Sequence, residues 1–131
     1  VGVLAKSGAQ TFHAVHVAGA RAVAKAAREV GAKTLVHVSA IGADKKARAR
    51  YARTKAAGED AVLKEFPDSV VLRPSLVFGP EDQLFNRFAA LARFSQFLPL
   101  LGGGMTRFQP VYVGDVAAAI AATCSPASIR A

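Results

Sequence analysis

Apolar residues recur along this chain with two different periods, and their alternation predicts helices interleaved with strands. From Phe12 to Val30 the apolar or small positions Phe12, Val15, Gly19, Val23, Ala26 and Val30 fall at helical spacing, and Gly31 supplies a stop. A helix with one buried stripe is expected there. Thr34 to Val38 is a short β-rich run ending in Ser39, as a buried parallel strand would be. From about Ala47 to Phe66 strong helix formers dominate, with Ala52, Ala56, Leu63 and Phe66 as the apolar stripe and Pro67-Asp68 as the stop. Ser69-Val70-Val71-Leu72 reads as another strand, ended by Arg73-Pro74 because proline cannot donate to a ladder. Ahead of all these, Val1 to Leu4 is an apolar stub that reads as a strand end before the Lys6-Ser7-Gly8 loop.

After Pro74 the pattern loosens. Pro74 to Pro80 reads as a loop, Leu84 to Phe97 has helical periodicity, Leu98 to Gly104 is a Pro/Gly-rich turn region, and Phe108 to Val113 is extended. Asp115 is placed to cap a last helix running to about Thr123. Strands alternating with helices of this length imply βαβ units, right-handed crossovers and an α/β fold with a parallel sheet. Ligands of such sheets lie beyond the carboxyl ends of the strands, here Val3-Leu4, Ser39-Ala40 and Arg73-Pro74.

At 131 residues the chain is sized for one domain, and 52% hydrophobic content without a polar low-complexity run argues against disorder. No apolar stretch approaches the roughly 20 residues that cross a bilayer. The single cysteine, Cys124, excludes an internal disulfide and a cysteine-based zinc site, and His13, His16 and His37 lack metal-ligand partners at recognised spacings, so no metal is expected. The net charge of +8 is concentrated around Lys45, Lys46, Arg48, Arg50, Arg53 and Lys55. Aromatics are not interleaved with that cluster, so nucleic acid is not expected. The cluster reads first as a solvated loop and helix start, with an acidic partner or lipid headgroups at a peripheral membrane surface as the alternative.

Candidate chemistry centres on Tyr51 and Lys55, four apart on the second helix and therefore on one face. An ammonium beside a phenol favours phenolate, and such a pair can move a proton to or from a substrate oxygen. By itself Tyr-x-x-x-Lys is a weak signature. Glu59, one turn further on, is placed either to pair with Lys55 or to be solvated.

The surroundings of the pair are more specific. Its helix follows a strand ending in Ser39 and precedes Leu72-Arg73-Pro74-Ser75-Leu76-Val77-Phe78-Gly79-Pro80, while His16-Val17-Ala18-Gly19-Ala20-Arg21 lies upstream and Phe108-Gln109-Pro110-Val111-Tyr112-Val113-Gly114-Asp115 downstream. In this order they resemble the extended and atypical branches of the short-chain dehydrogenase/reductase superfamily. Ser39-Ala40-Ile41-Gly42-Ala43-Asp44, the run from Phe78 to Ala89, and Gln109-Pro110-Val111 look like the atypical group that includes the NAD(P)-binding accessory subunit of respiratory complex I and its bacterial relatives.

The resemblance implies the C-terminal portion of a Rossmann-type, doubly wound parallel sheet over residues 1–131, with 81–131 contributing to a small substrate-side region. It implies Tyr51, Lys55 and Ser39 as catalytic positions, and Gly2, Val38, Tyr51, Lys55, Pro74, Ser75, Leu76 and Val77 as contacts to NAD(P), with NADP(H) slightly favoured. It implies a nucleotide-binding, structural role beside respiratory-chain subunits, in the cytoplasm or on the mitochondrial matrix side, peripheral to the inner membrane. The alternative is an active oxidoreductase, epimerase or dehydratase on a nucleotide sugar or a similar carbonyl or alcohol. Three departures bear on that choice. Ala40 stands where active members place a second serine, His16 stands where they place an asparagine, and no G-x-x-G-x-x-G phosphate turn occurs in the chain, which is then expected to be a fragment.

Overall fold

The computed structural model describes residues 3, 8, 10–82, 84–95, 97, 105 and 107–125. Gly2, the rest of the Val1–Leu4 strand apart from Val3, and the Leu98–Gly104 turn lie outside the described residues. The first helix contains a π-helical segment, Ala14–Gly19, and continues as α1, Ala20–Glu29. β1 (Val36–Val38), α2 (Arg50–Glu65) and β2 (Val70–Leu72) then form the strand, helix, strand unit that the periodicity predicts. β1 and β2 pair in parallel, with Val36 opposite Val70, His37 opposite Val71 and Val38 opposite Leu72. Hydrogen bonds continue the pairing past the strand ends. Ser39 N–H donates to the Leu72 carbonyl at 2.7 Å and Ile41 N–H to the Pro74 carbonyl at 3.0 Å, so the two post-strand loops travel together.

Pro74 to Pro80 is more than a loop. Val77–Phe78 forms β3, parallel to β4 (Val111–Tyr112), and Val111 N–H donates to the Leu76 carbonyl at 3.0 Å. A two-residue strand has no room to show a period of two, so it left no mark in the sequence pattern. α3 (Phe85–Phe94) and α4 (Val113–Thr123) complete the described elements. Asp115 does not cap α4. The cap position is Tyr112, and Asp115 lies in the first turn, where its charge complements the helix dipole.

The core lies between α1 and α2, where Ala24, Val62 and Phe66 are buried with Ala20, Ala27, Ala32 and Leu35 packed around them. The stripe expected on the first helix is therefore rotated. Val23 and Val30 are 61% and 80% exposed, while His16 and Ala24 point inward. A π segment widens the turn and shifts the phase of everything before it, so one period projected from Phe12 to Val30 misses the buried face. On α2, Ala52, Ala56 and Phe66 are buried as the pattern predicts, but Val62 takes the place of the exposed Leu63. The helices meet closely at Gly58, where a Cβ would overlap the His16 carbonyl oxygen. Near the far end of α2, the buried Glu65 carboxylate receives Arg21 Nε at 2.8 Å and Arg28 Nη2 at 3.1 Å, tying α2 to α1.

Candidate functional site

α2 carries Tyr51, Lys55 and Glu59 at four-residue spacing: Lys55 reaches the last residue of β1, Glu59 meets Arg73 just past β2, and Tyr51 packs toward the first helix. Lys55 is 5% exposed, and its ammonium donates to the Val38 carbonyl at 2.8 Å, at the last residue of β1. Burial lowers the Lys55 pKa, and the Glu59 charge opposes that shift. Tyr51 is half-buried, with its ring edge-on to His16 at 5.3 Å and to Phe12 at 6.4 Å between centroids. Burial pushes the Tyr51 phenol above its ordinary value, which reverses the phenolate expected from a neighbouring ammonium. The Tyr51 hydroxyl is thus held in its protonated, proton-donating form.

His16 is a scaffold residue rather than a holder of water. Its Nε2 accepts the Val3 N–H at 3.1 Å, and its Nδ1 lies 3.0 Å from the Thr54 hydroxyl. The single Thr54 proton is directed at the Arg50 and Tyr51 carbonyls, both 3.0 Å away, so Nδ1 must carry the hydrogen on the His16 side. Both ring nitrogens are occupied in a neutral imidazole. Burial, followed by the charge of Lys55, keeps the His16 pKa low and agrees with that state.

Glu59 neither pairs with Lys55 nor reaches solvent. It is buried and receives both arms of Arg73, Nε to Oε1 at 2.9 Å and Nη2 to Oε2 at 2.5 Å. Although burial works in the opposite direction, the Arg73 bonds and the nearby Ser39 hydroxyl hold the Glu59 pKa below its usual value. Ser39 is buried at the end of β1. Its hydroxyl lies toward this carboxylate, and the buried Nε2 of His37, one pleat earlier on the same strand face, has no hydrogen-bond partner. Sequence reading missed the Glu59–Arg73 fork, because fourteen residues and a helix-to-strand crossover separate the two.

Of the remaining expected site residues, Val38, Pro74, Ser75, Leu76 and Val77 are all half-buried. Pro74 to Leu76 joins the β1–β2 pair to the β3–β4 pair. A cleft of about 350 Å³ lined by Val77 to Asp82 and Val113 lies beyond this segment, and another of about 240 Å³ lies between Leu72 to Pro74 and α4. Neither cleft is lined by Tyr51 or Lys55. A third, apolar, of about 460 Å³, follows the β1 side facing the first helix and includes Val23, His37 and Val38. The basic cluster is partly engaged: Lys45 pairs with Asp60, Arg53 donates to the Ala47 and Arg48 carbonyls, and Lys55 turns inward. Lys46, Arg48 and Arg50 face solvent. Among the described residues no group of His, Cys, Asp and Glu could hold a metal ion, and no helix is long and apolar enough to cross a membrane.

Parallel strands joined by a long helix define an α/β unit of the kind whose ligands lie beyond the carboxyl ends of the strands. A family model described as the NAD dependent epimerase/dehydratase family matches residues 3–128, and the chain belongs to that family. It is 46% identical over 92 residues, 70% of this chain and 23% of the relative, to the mitochondrial NADH dehydrogenase [ubiquinone] 1 alpha subcomplex subunit 9 of Arabidopsis thaliana. It is 38% identical over 113 residues, 86% of this chain and 35% of the relative, to the ceramide reductase of Caulobacter vibrioides. Among solved structures, the Bordetella bronchiseptica enzyme WbmG in complex with NAD matches with a TM-score of 0.67 and 19% identity over 95% of this chain and 45% of that one, a likeness of fold. The chain thus spans between about a quarter and a third of the length of these curated relatives.

Proposed function

We propose that this protein binds NAD(P), with NADP(H) preferred, and acts as a nucleotide-binding accessory subunit of a respiratory complex I type assembly, peripheral to the membrane on its matrix or cytoplasmic side. The observation that carries the reading is the buried Lys55 ammonium bonded to the last residue of β1, whose partner strand β2 leads into the half-buried Pro74–Val77 segment. A cation at that position suits ribose hydroxyls, and Val38, Pro74, Ser75, Leu76 and Val77 supply the wall against which a nicotinamide would lie. The 46% identity to a complex I subunit supports the assembly half of the reading. Ala40 beside Ser39, and a Ser39 hydroxyl facing Glu59, favour binding over turnover. The test is to isolate the full-length protein from its native membrane fraction. NADP(H) and NADH dehydrogenase subunits should co-purify with it. Recovery of a monomer carrying neither would overturn the proposal.

A second reading, reduction of a carbonyl, is favoured by the 38% identity to a ceramide reductase. A neutral phenol suits the reductive direction, because it can donate its proton to the carbonyl oxygen while NADPH supplies a hydride to the carbon. Tyr51 would be the proton donor, Lys55 would hold the cofactor ribose and Ser39 would be the remaining candidate polariser. NADPH oxidation by the full-length protein with long-chain ketones and keto-sugars, lost in Tyr51→Phe, would select this reading. Absence of turnover across such a panel would remove it.

A further inference from the structure

We propose that the Glu59–Arg73 pair is a positioning clamp that holds the Pro74–Val77 segment against the Lys55 face of α2, so that cofactor grip depends on it. The inference rests on the cofactor reading above. Glu59 lies one helical turn from Lys55, and Arg73 immediately precedes Pro74. A bidentate guanidinium–carboxylate pair fixes orientation as well as separation, so the fork sets both the height and the tilt at which the segment leaves β2. Glu59 is 5% exposed, and a carboxylate so placed costs desolvation unless it is fully paired. It is also where three elements converge: Ser39 and His37 from β1, Lys55 from its own helix, and Arg73 from the end of β2 all face it or act on its charge.

A purely structural ion pair would be the plainer explanation, and the same helix supplies a control for it. Glu65 is also buried and also binds arginines, but it ties α2 to α1, away from the strand ends. If Glu59 served only stability, Glu59→Gln and Glu65→Gln would behave alike.

The experiment uses the full-length protein and two readouts: the Kd for NADPH by fluorescence titration, and amide hydrogen exchange in the segment 74–78 without nucleotide. Glu59→Gln and Arg73→Gln should each raise Kd by about tenfold or more and speed exchange in 74–78, and the double variant should be little worse than either single one. Glu65→Gln should lower Tm while leaving Kd and that exchange as in the wild type. Arg73→Lys keeps the charge without the fork, so it should fold even where Glu59→Gln does not, and weaken NADPH binding by an intermediate factor. Equal behaviour of Glu59→Gln and Glu65→Gln in both readouts, or wild-type Kd and exchange in Arg73→Lys where Glu59→Gln does not fold, overturns the clamp. Failure of the wild type itself to bind NADPH would instead sink the cofactor reading. Exchange in 74–78 would then decide the clamp alone, with faster exchange in Glu59→Gln than in Glu65→Gln supporting it and equal rates refuting it.

Discussion

Lys55 is a charge placed where water barely reaches, with one backbone carbonyl as its bonded partner. Burying an ammonium is unfavourable unless it is well paired, so the site is held at some expense to stability. Lys55→Met removes that charge while keeping much of the volume. The variant should unfold at the same Tm as the wild type or higher, yet bind NADPH at least about tenfold more weakly, because function is kept at a cost in stability. Calorimetry together with fluorescence titration checks both halves, and a large fall in Tm would show the ammonium to be structural. The histidines make a second prediction. His16 and His37 are both held below the ordinary value of 6.5, by burial first and by Lys55 second. A base with a depressed folded pKa binds fewer protons folded than unfolded, so stability is complete above about pH 6.5 and declines as the pH falls below it. Each histidine contributes at most about 1.4 kcal/mol per pH unit in that window. Glu59 and Glu65, depressed below 4.5, take effect only at lower pH. Urea unfolding between pH 5 and 7.5 should show the slope, and His16→Gln should remove roughly half of it.

Among the elements, the contact that matters most to the site is the crossing of α2 over the π segment. Gly58 allows it, and an added methyl would meet a backbone oxygen that cannot rotate away. Gly58→Ala should therefore destabilise by about 1–3 kcal/mol despite its better helix propensity, measured as a lower urea midpoint with an unchanged m-value. The elements differ in how readable they were. Tyr51 and Lys55 could be paired from the sequence because four residues on a helix fix proximity locally. β1 and β2 could be placed because each is a β-rich run with a clear stop, and α2 because its apolar stripe repeats over enough residues. The π segment could not, since one residue of extra turn leaves composition unchanged while it rotates the buried stripe from Val23 to Ala24. β3 and β4 exist only as each other's partners, more than thirty residues apart. Glu59 read equally well as solvated or as a partner of Lys55, because the identity of its true partner depends on how the crossover returns to the sheet.

At the scale of the whole chain, the apolar residues buried among those described are Ala24, Ala52, Ala56, Val62 and Phe66, three of them alanines. Phe94, Phe97 and Met105 meanwhile stand 89%, 85% and 86% exposed. At roughly 1.5–3 kcal/mol for each fully buried large side chain, such a core offsets little of the chain entropy. Residues 1–131 expressed alone should accordingly bind a hydrophobic dye and melt over a broad range, whereas a sharp two-state transition above about 60 °C would show the core to be sufficient. The Gly58 contact also reaches beyond a single molecule. Because that position and the π segment share one gap, lineages cannot alter them independently. Homologues that carry a side chain at position 58 should have a regular helix where Ala14–Gly19 is wound wide, and the two traits should be gained and lost together along the family tree.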